Sequence, residues 1–322
     1  MHQQFYPLQF DPILKQKIWG GEKLKTQFNK SIVSNTTGES WELSAVQNAV
    51  SIISNGAFKG KLITDLIESF PIEILGTFVY QRFGKEFPLL FKILDAKEDL
   101  SIQVHPNDVL AKERHNSLGK TEMWYIMQAD KDAEIIVGFK ENATESEYLE
   151  KLQSNKLPTI LNQITVQEGD AFFLETGTIH SIGAGIVIAE IQQTSDITYR
   201  LYDFDRRDET GNKRELHVDL ALEAINYQKQ ETQKFYFKEP NKSNPIVECP
   251  YFTTNFLPLA ETLEVTKEGD SFTVYMCVEG AFSFESEGSI YEYKKGDTIL
   301  IPAALKNYVL HGNASILEIY IK

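Results

Sequence analysis

Short apolar runs punctuated by Gly, Asn and Asp make up most of the chain. Leu89–Leu94, Trp124–Met127, Glu134–Phe139 and Ile186–Ile191 are of strand length. Runs of that kind between turn residues predict a mainly β chain built as a sandwich or jelly roll. Helical spacing is confined to three segments. In 61–82, KLITDLIESFPIEILGTFVYQR, residues Leu62, Ile63, Leu66 and Ile67 fall on one face, and Pro71 stops or kinks the helix. A second helix is expected over 144–156, where Thr144 is followed three residues later by Glu147 in capping-box spacing, and a third over 215–227. The polar stretch EPNKSNPI at 239–246 carries two prolines and reads as a linker, which divides the chain into 1–238 and 247–322.

An internal repeat supports that division. VQEGDAFFLETGTIH at 166–180 and YKKGDTILIPAALKN at 293–307 share a Gly-Asp turn, a four-residue apolar strand and a short loop. Aligning Gly169 with Gly296 sets His180 against Asn307. The strand around Trp124–Met127 then matches Tyr275–Val278, with Glu122 against Thr273. The second copy keeps the strands and loses the polar residues.

Those polar residues cluster in three stretches. In SIQVHPND, 101–108, strand alternation places Ser101, Gln103 and His105 on one face, and Pro106 ends the strand. In GKTEMWY, 119–125, Lys120 and Glu122 share a face; the third stretch, ETGTIHSIG at 175–183, centres on His180. Two imidazoles, a carboxylate and an amide oxygen suit zinc or another divalent first-row ion with a position left open.

Forty-six acidic against 32 basic residues leave a formal net charge of −14, and no concentrated basic surface is present to neutralise phosphates. Nucleic acid and anionic membrane are therefore excluded as partners. No apolar run reaches the ~18–20 residues of a membrane-spanning helix, and the N-terminal stretch lacks the basic and apolar regions of a signal peptide. Cys249 and Cys277 are too few for a disulfide framework and sit in no metal-ligand spacing. A cytoplasmic location is the expectation.

Taken in order, QVHPND, KTEMWY and GTIHSIG resemble the cupin motifs of the type I mannose-6-phosphate isomerases. The likeness to their short bacterial form runs from KIWGGEKL at 17–24 and GESWELS at 38–44, through PLLFKILDA at 88–96, to DITYRLYDFDRRDETGNKRELHV at 196–218. It implies two jelly-roll (cupin) modules with a small helical insertion in the N-terminal part. It implies one zinc ion per chain held by Gln103, His105, Glu122 and His180, and a sugar-phosphate substrate. Catalytic roles fall on Arg200, Lys120 and Glu190, the last ten residues before Arg200, and substrate contacts on Lys92, Ser101 and Trp19. One departure is visible: Glu175-Thr176 stands where the family loop carries Pro-Ala.

The implied reaction is aldose–ketose isomerisation of mannose 6-phosphate and fructose 6-phosphate through an enediol, with Glu190, Lys120 or a metal-bound water as candidate base. Two other readings fit parts of the pattern. Two histidines and a carboxylate also suit the iron of a cupin dioxygenase, although Lys92, Lys120 and Arg200 then lack a purpose. A non-catalytic sugar-binding cupin is the other, and it predicts lost metal residues. An acidic chain need not repel an anionic substrate, because net charge governs solubility and steering while binding is decided locally.

Overall fold

The computed structural model describes residues 4–207 and 211–322, which leaves His2 outside the described residues. The chain is mostly β. Seven strands form one sheet in the order Gln233–Lys234, Ala171–Leu174, Glu122–Ala129, Ile186–Gln193, Leu89–Ala96, Ile13–Gly21 and Thr37–Leu43. Five more form a second, in the order Leu161–Thr165, Glu134–Phe139, His180–Ile182, Ile102–Val104 and Tyr199–Tyr202. A third, six-stranded sheet holds everything from Asn244 to Tyr320.

Strand alternation assigns each face of these sheets. In Glu122–Ala129, Trp124 and Ile126 point into a core between the first two sheets, shared with Ile135, Val137 and Ile182. Met123, Tyr125 and Met127 point the other way, into a core shared with Val274, Met276, Leu317 and Ile319 of the third sheet. Full burial of each such side chain contributes roughly 1.5–3 kcal/mol, so the central sheet is glued on both faces. The outer face of the five-stranded sheet is covered by Tyr148, Leu157 and Ala221 from helical segments.

The aligned repeat has a matching register. Glu122 lies opposite Leu174, and Thr273 opposite Ile301; Glu190 lies opposite Trp124, and Glu318 opposite Tyr275. Leu8 joins the third sheet, exchanging both backbone hydrogen bonds with Leu300, at 2.8 and 3.0 Å.

The helical segments are shorter than their spacing suggests. Within 61–82 there are three helices, Ile63–Ser69, Pro71–Leu75 and Thr77–Phe83. Pro71 starts the second helix, and Gly76, at φ 91°, ends it; a Cβ on Gly76 would lie 2.4 Å from the Asp270 carbonyl. Thr144 caps Glu145–Gln153 by accepting from the Glu147 amide at 3.2 Å. Within 215–227 only Val218–Leu222 is helical, because the Asn226 amide turns away to the Gly177 carbonyl at 2.9 Å. The last three residues of the 239–246 stretch are strand: Asn244–Glu248 forms an edge of the third sheet, where Pro245 is tolerated. Among the described residues no helix is long and apolar enough to cross a membrane.

Candidate metal centre and anion cavity

Two transverse rows of side chains, one on each facing sheet, build the site. Across the five-stranded sheet His180 is opposite Gln103, and Gln103 is opposite Arg200. Across the seven-stranded sheet the row runs Trp124, Glu190, Lys92, Trp41. His105, two residues beyond Gln103, and Glu122, two before Trp124, complete the inner end. The strands place these residues inward because their neighbours, such as Ile102, Val104, Met123 and Ile191, are needed in the outer cores.

His105 and His180 point their Nε2 atoms at each other, 3.1 Å apart. Each ring donates its Nδ1 proton to a carbonyl, His105 to Ile197 and His180 to Thr178, both at 2.8 Å. That fixes both Nε2 atoms as lone-pair donors. The Glu122 oxygens lie 3.7 Å from His105 Nε2 and 3.4 Å from His180 Nε2. Glu122 Oε1 has no hydrogen-bond partner among the described residues, and the side chain is fully buried. Ligand atoms of His105, Glu122 and His180 all fall within 4.8 Å of one another, so these three could hold a metal ion. The Gln103 amide sits 3.2 Å from His180 Nε2 and can turn its oxygen inward. Two facing lone pairs, met here by Lys120 and the Gln103 amide, and a carboxylate oxygen without a hydrogen bond are a donor set that a cation would satisfy.

Electrostatics bear this out. Burial lowers the pKa of His180 to about 4, helped by the nearby Lys120 ammonium, and holds His105 well below the usual range for the same reasons, so both rings are neutral. Burial raises Glu122 to about 7 against the opposing pull of Lys120. Lys120 Nζ is 2.5 Å from Glu122 Oε2 and 3.0 Å from His105 Nε2. Burial opposes its charge, yet Glu122 and Glu190 raise its pKa.

Glu190 receives Lys92 Nζ at 2.9 Å and Trp124 Nε1 at 3.1 Å. Burial would raise its pKa, but Lys120 and Lys92 outweigh that and take it to about 2. Lys92 thus pairs with Glu190 and not with Glu122, and it also faces the open cavity.

That cavity, of about 370 Å³, has Trp19, Ser101 and Gln103 in its wall. Six cationic side chains line it, Lys15, Lys17, Lys92, Lys120, Arg200 and Arg214, against three carboxylates, Glu39, Glu190 and Asp196. An acidic protein therefore carries a positive interior. Arg200 donates to the Glu215 carbonyl at 2.8 Å, while its buried Nε has no partner among the described residues. Asp203, the acid nearest in sequence, is taken by Arg206 and Arg214.

Lys15, Lys17 and Glu39 escaped the sequence reading, although the last two lie inside the quoted KIWGGEKL and GESWELS. The signal was alternation: Glu39 and Trp41 share a face, and Trp41 Nε1 donates to Glu39 at 2.7 Å. Lys15 Nζ lies 4.5 Å from the centre of the Trp41 ring. The other histidines are engaged elsewhere: His115 with the Tyr199 hydroxyl, His217 with the Arg200 amide, and His311 with Glu285.

Comparison with known proteins follows the same lines. Residues 8–151 match the family described as phosphomannose isomerase type I, catalytic domain, and residues 242–321 match mannose-6-phosphate isomerase, cupin domain. Mannose-6-phosphate isomerase ManA of Bacillus subtilis is 40% identical over 313 residues, 96% of each chain. The mannose-6-phosphate isomerase of Streptococcus mutans is 35% identical, with 97% of each chain covered. The crystal structure of the mannose 6-phosphate isomerase from Bacillus subtilis has a TM-score of 0.90 at 34% identity, covering 98% of this chain and 99% of that one.

Proposed function

The chain belongs to the type I mannose-6-phosphate isomerases, and from that premise we propose that it interconverts mannose 6-phosphate and fructose 6-phosphate through an enediol, with one zinc ion held by Gln103, His105, Glu122 and His180. The observation that carries the metal is the pair of facing, tautomer-fixed Nε2 atoms beside the orphaned Glu122 oxygen. Imidazole and carboxylate suit zinc, and the donor set leaves a position for substrate. Bound there, the ion would supply Lewis-acid polarisation of the sugar's carbonyl and hydroxyl oxygens.

The protein's own side chains account for the rest. Glu190 is ionised and is our candidate acceptor for the carbon-bound proton, with Lys120 the charged donor toward oxygen. Both lysines that hold Glu190 in its ionised form also line the cavity, so a substrate that engages Lys92 and Lys120 makes Glu190 a stronger base. Arg200 offers its unpartnered Nε–H to negative charge developing on the sugar, and a guanidinium keeps its proton throughout. Lys92, Ser101 and Trp19 bind the substrate from the cavity wall. Residues 1–238 form the catalytic module in this reading, and 247–322 a second module without metal ligands.

A coupled assay with mannose 6-phosphate, and glucose 6-phosphate as control, tests the proposal. Chelation is expected to abolish turnover and zinc to restore it. Activity that survives complete metal removal sinks the metal role, and stoichiometric iron with oxygen consumption sinks the isomerase itself.

A further inference from the structure

Lys120 is almost fully buried, yet it lies on irregular backbone between the helix Asp108–His115 and the strand that begins at Glu122. No strand of its own holds it. Two side chains do so from outside. Asp108 Oδ1 accepts from the Gly119 amide at 2.8 Å, and the Gln193 side-chain oxygen accepts from the Thr121 amide at 2.9 Å. The backbone is thus pinned on both sides of the lysine. The two pins are joined, because Gln193 Nε2 donates to Asp108 Oδ1 at 3.0 Å. Glycine is required at 119 for this approach: a Cβ there would stand 2.7 Å from the Asp108 amide nitrogen.

The remaining oxygen of Asp108 is taken from the other end of the molecule. Tyr251 donates its hydroxyl to Asp108 Oδ2 at 2.6 Å. This tyrosine sits in the turn between Asn244–Glu248 and Thr253–Thr266 of the third sheet, a turn closed by the Cys249 amide on the Phe252 carbonyl. Phe252 is buried edge-on against Phe173 of the seven-stranded sheet, so the turn has a fixed seat. Hydrogen bonds to a carboxylate are roughly twice as strong as those between neutral groups, and this carboxylate collects three.

We infer that Tyr251 is a positioning residue: through Asp108 and Gln193, the C-terminal sheet sets the place of Lys120 in the site. The inference rests on the function proposed for Lys120 above, and it gives the second module a part in the reaction besides covering the first.

The zinc-loaded full chain carrying Y251F, which keeps the ring and removes only the hydroxyl, provides the test. The expected result is a kcat about 10-fold lower, with KM changed less than about twofold, zinc content unchanged and faster amide exchange in the peptide spanning 116–122. D108A is expected to lose more, and Y251F/D108A no more than D108A alone, because both act on one path. Wild-type kcat in Y251F overturns the inference, as does a double variant whose losses multiply. The exchange measurement is independent of turnover: unchanged exchange at 116–122 overturns the pinning by itself. An inactive wild-type chain overturns the proposed function instead.

Discussion

Glu190 and Glu318 occupy the same register position in two sheets of one chain, each buried and each opposite an aromatic residue, Trp124 and Tyr275. Their surroundings differ. Glu318 is closed off: Lys267 at 2.6 Å, Ser243 at 2.6 Å and Asn255 at 3.0 Å use up its oxygens. Glu190 shares its two lysines with a cavity that Arg200 also lines, and Glu122 Oε1 and Arg200 Nε have no partner among the described residues. The unpartnered buried groups around the third sheet are the neutral hydroxyls of Thr253, Thr254, Thr298 and Tyr293. An uncompensated buried charge costs far more than an uncompensated hydroxyl. The same scaffold therefore leaves one glutamate facing a cavity through its lysines and closes the corresponding one off inside the third sheet.

The largest effect expected from this contrast concerns the metal. E122Q should lose zinc and with it turnover, as chelation does, whereas T273V at the matching position should retain both; zinc analysis and the coupled assay decide. E190Q comes next, with about 10²–10⁴-fold lower kcat. If E318Q slowed turnover as much, the contrast between the sheets would fail. R200A should cost about 10²–10³-fold in kcat with zinc still bound, and an active variant would remove Arg200 from the mechanism.

Smallest is a stability effect. E318Q should lower unfolding free energy by about 1–3 kcal/mol at pH 7, measured in urea. Burial opposes the charge of Glu318, but Lys267, Ser243 and Asn255 hold its pKa below the ordinary carboxylate value. A depressed folded-state pKa gives stability that is complete above the unfolded value of ~4.5 and is lost as pH falls through the folded one. The gap between wild type and E318Q should therefore narrow as the urea series moves from pH 7 into acid. A gap that widened would reverse the assignment.

Turn residues and apolar runs were enough to read Trp124–Met127, which lies inside Glu122–Ala129, and Glu134–Phe139 as strands, while His105 and Lys120, assigned by strand alternation, sit just outside the strands Ile102–Val104 and Glu122–Ala129. These signals could not bring His180 to His105, since period-2 patterning says which face a residue takes and nothing about which sheet it meets. The motif resemblance supplied that meeting. Neither route could reach the Asp108, Gln193 and Tyr251 set. Each of those residues has an ordinary role in its own segment, and the bond from Tyr251 spans 143 positions. Pro71 announced the first break in 61–82, but the second was hidden for a related reason, as Gly76 is fixed by contact with Asp270, in the loop between Thr253–Thr266 and Thr273–Ser286.

The bridge between Leu8 and Leu300 has a consequence for the order in which the molecule is made. At about 5–20 residues per second, a ribosome needs roughly 15–60 s to travel from one partner to the other. For that interval Leu8 lacks its partner Leu300, although Phe10–Asp11 can already pair with Ile52–Ile53, and Tyr6, Leu8 and Phe10 have only part of their core to enter. The segment around Leu8 thus settles in two steps, first on Ile52–Ile53 and only later on Leu300, and bulk attached beside it would burden the later step.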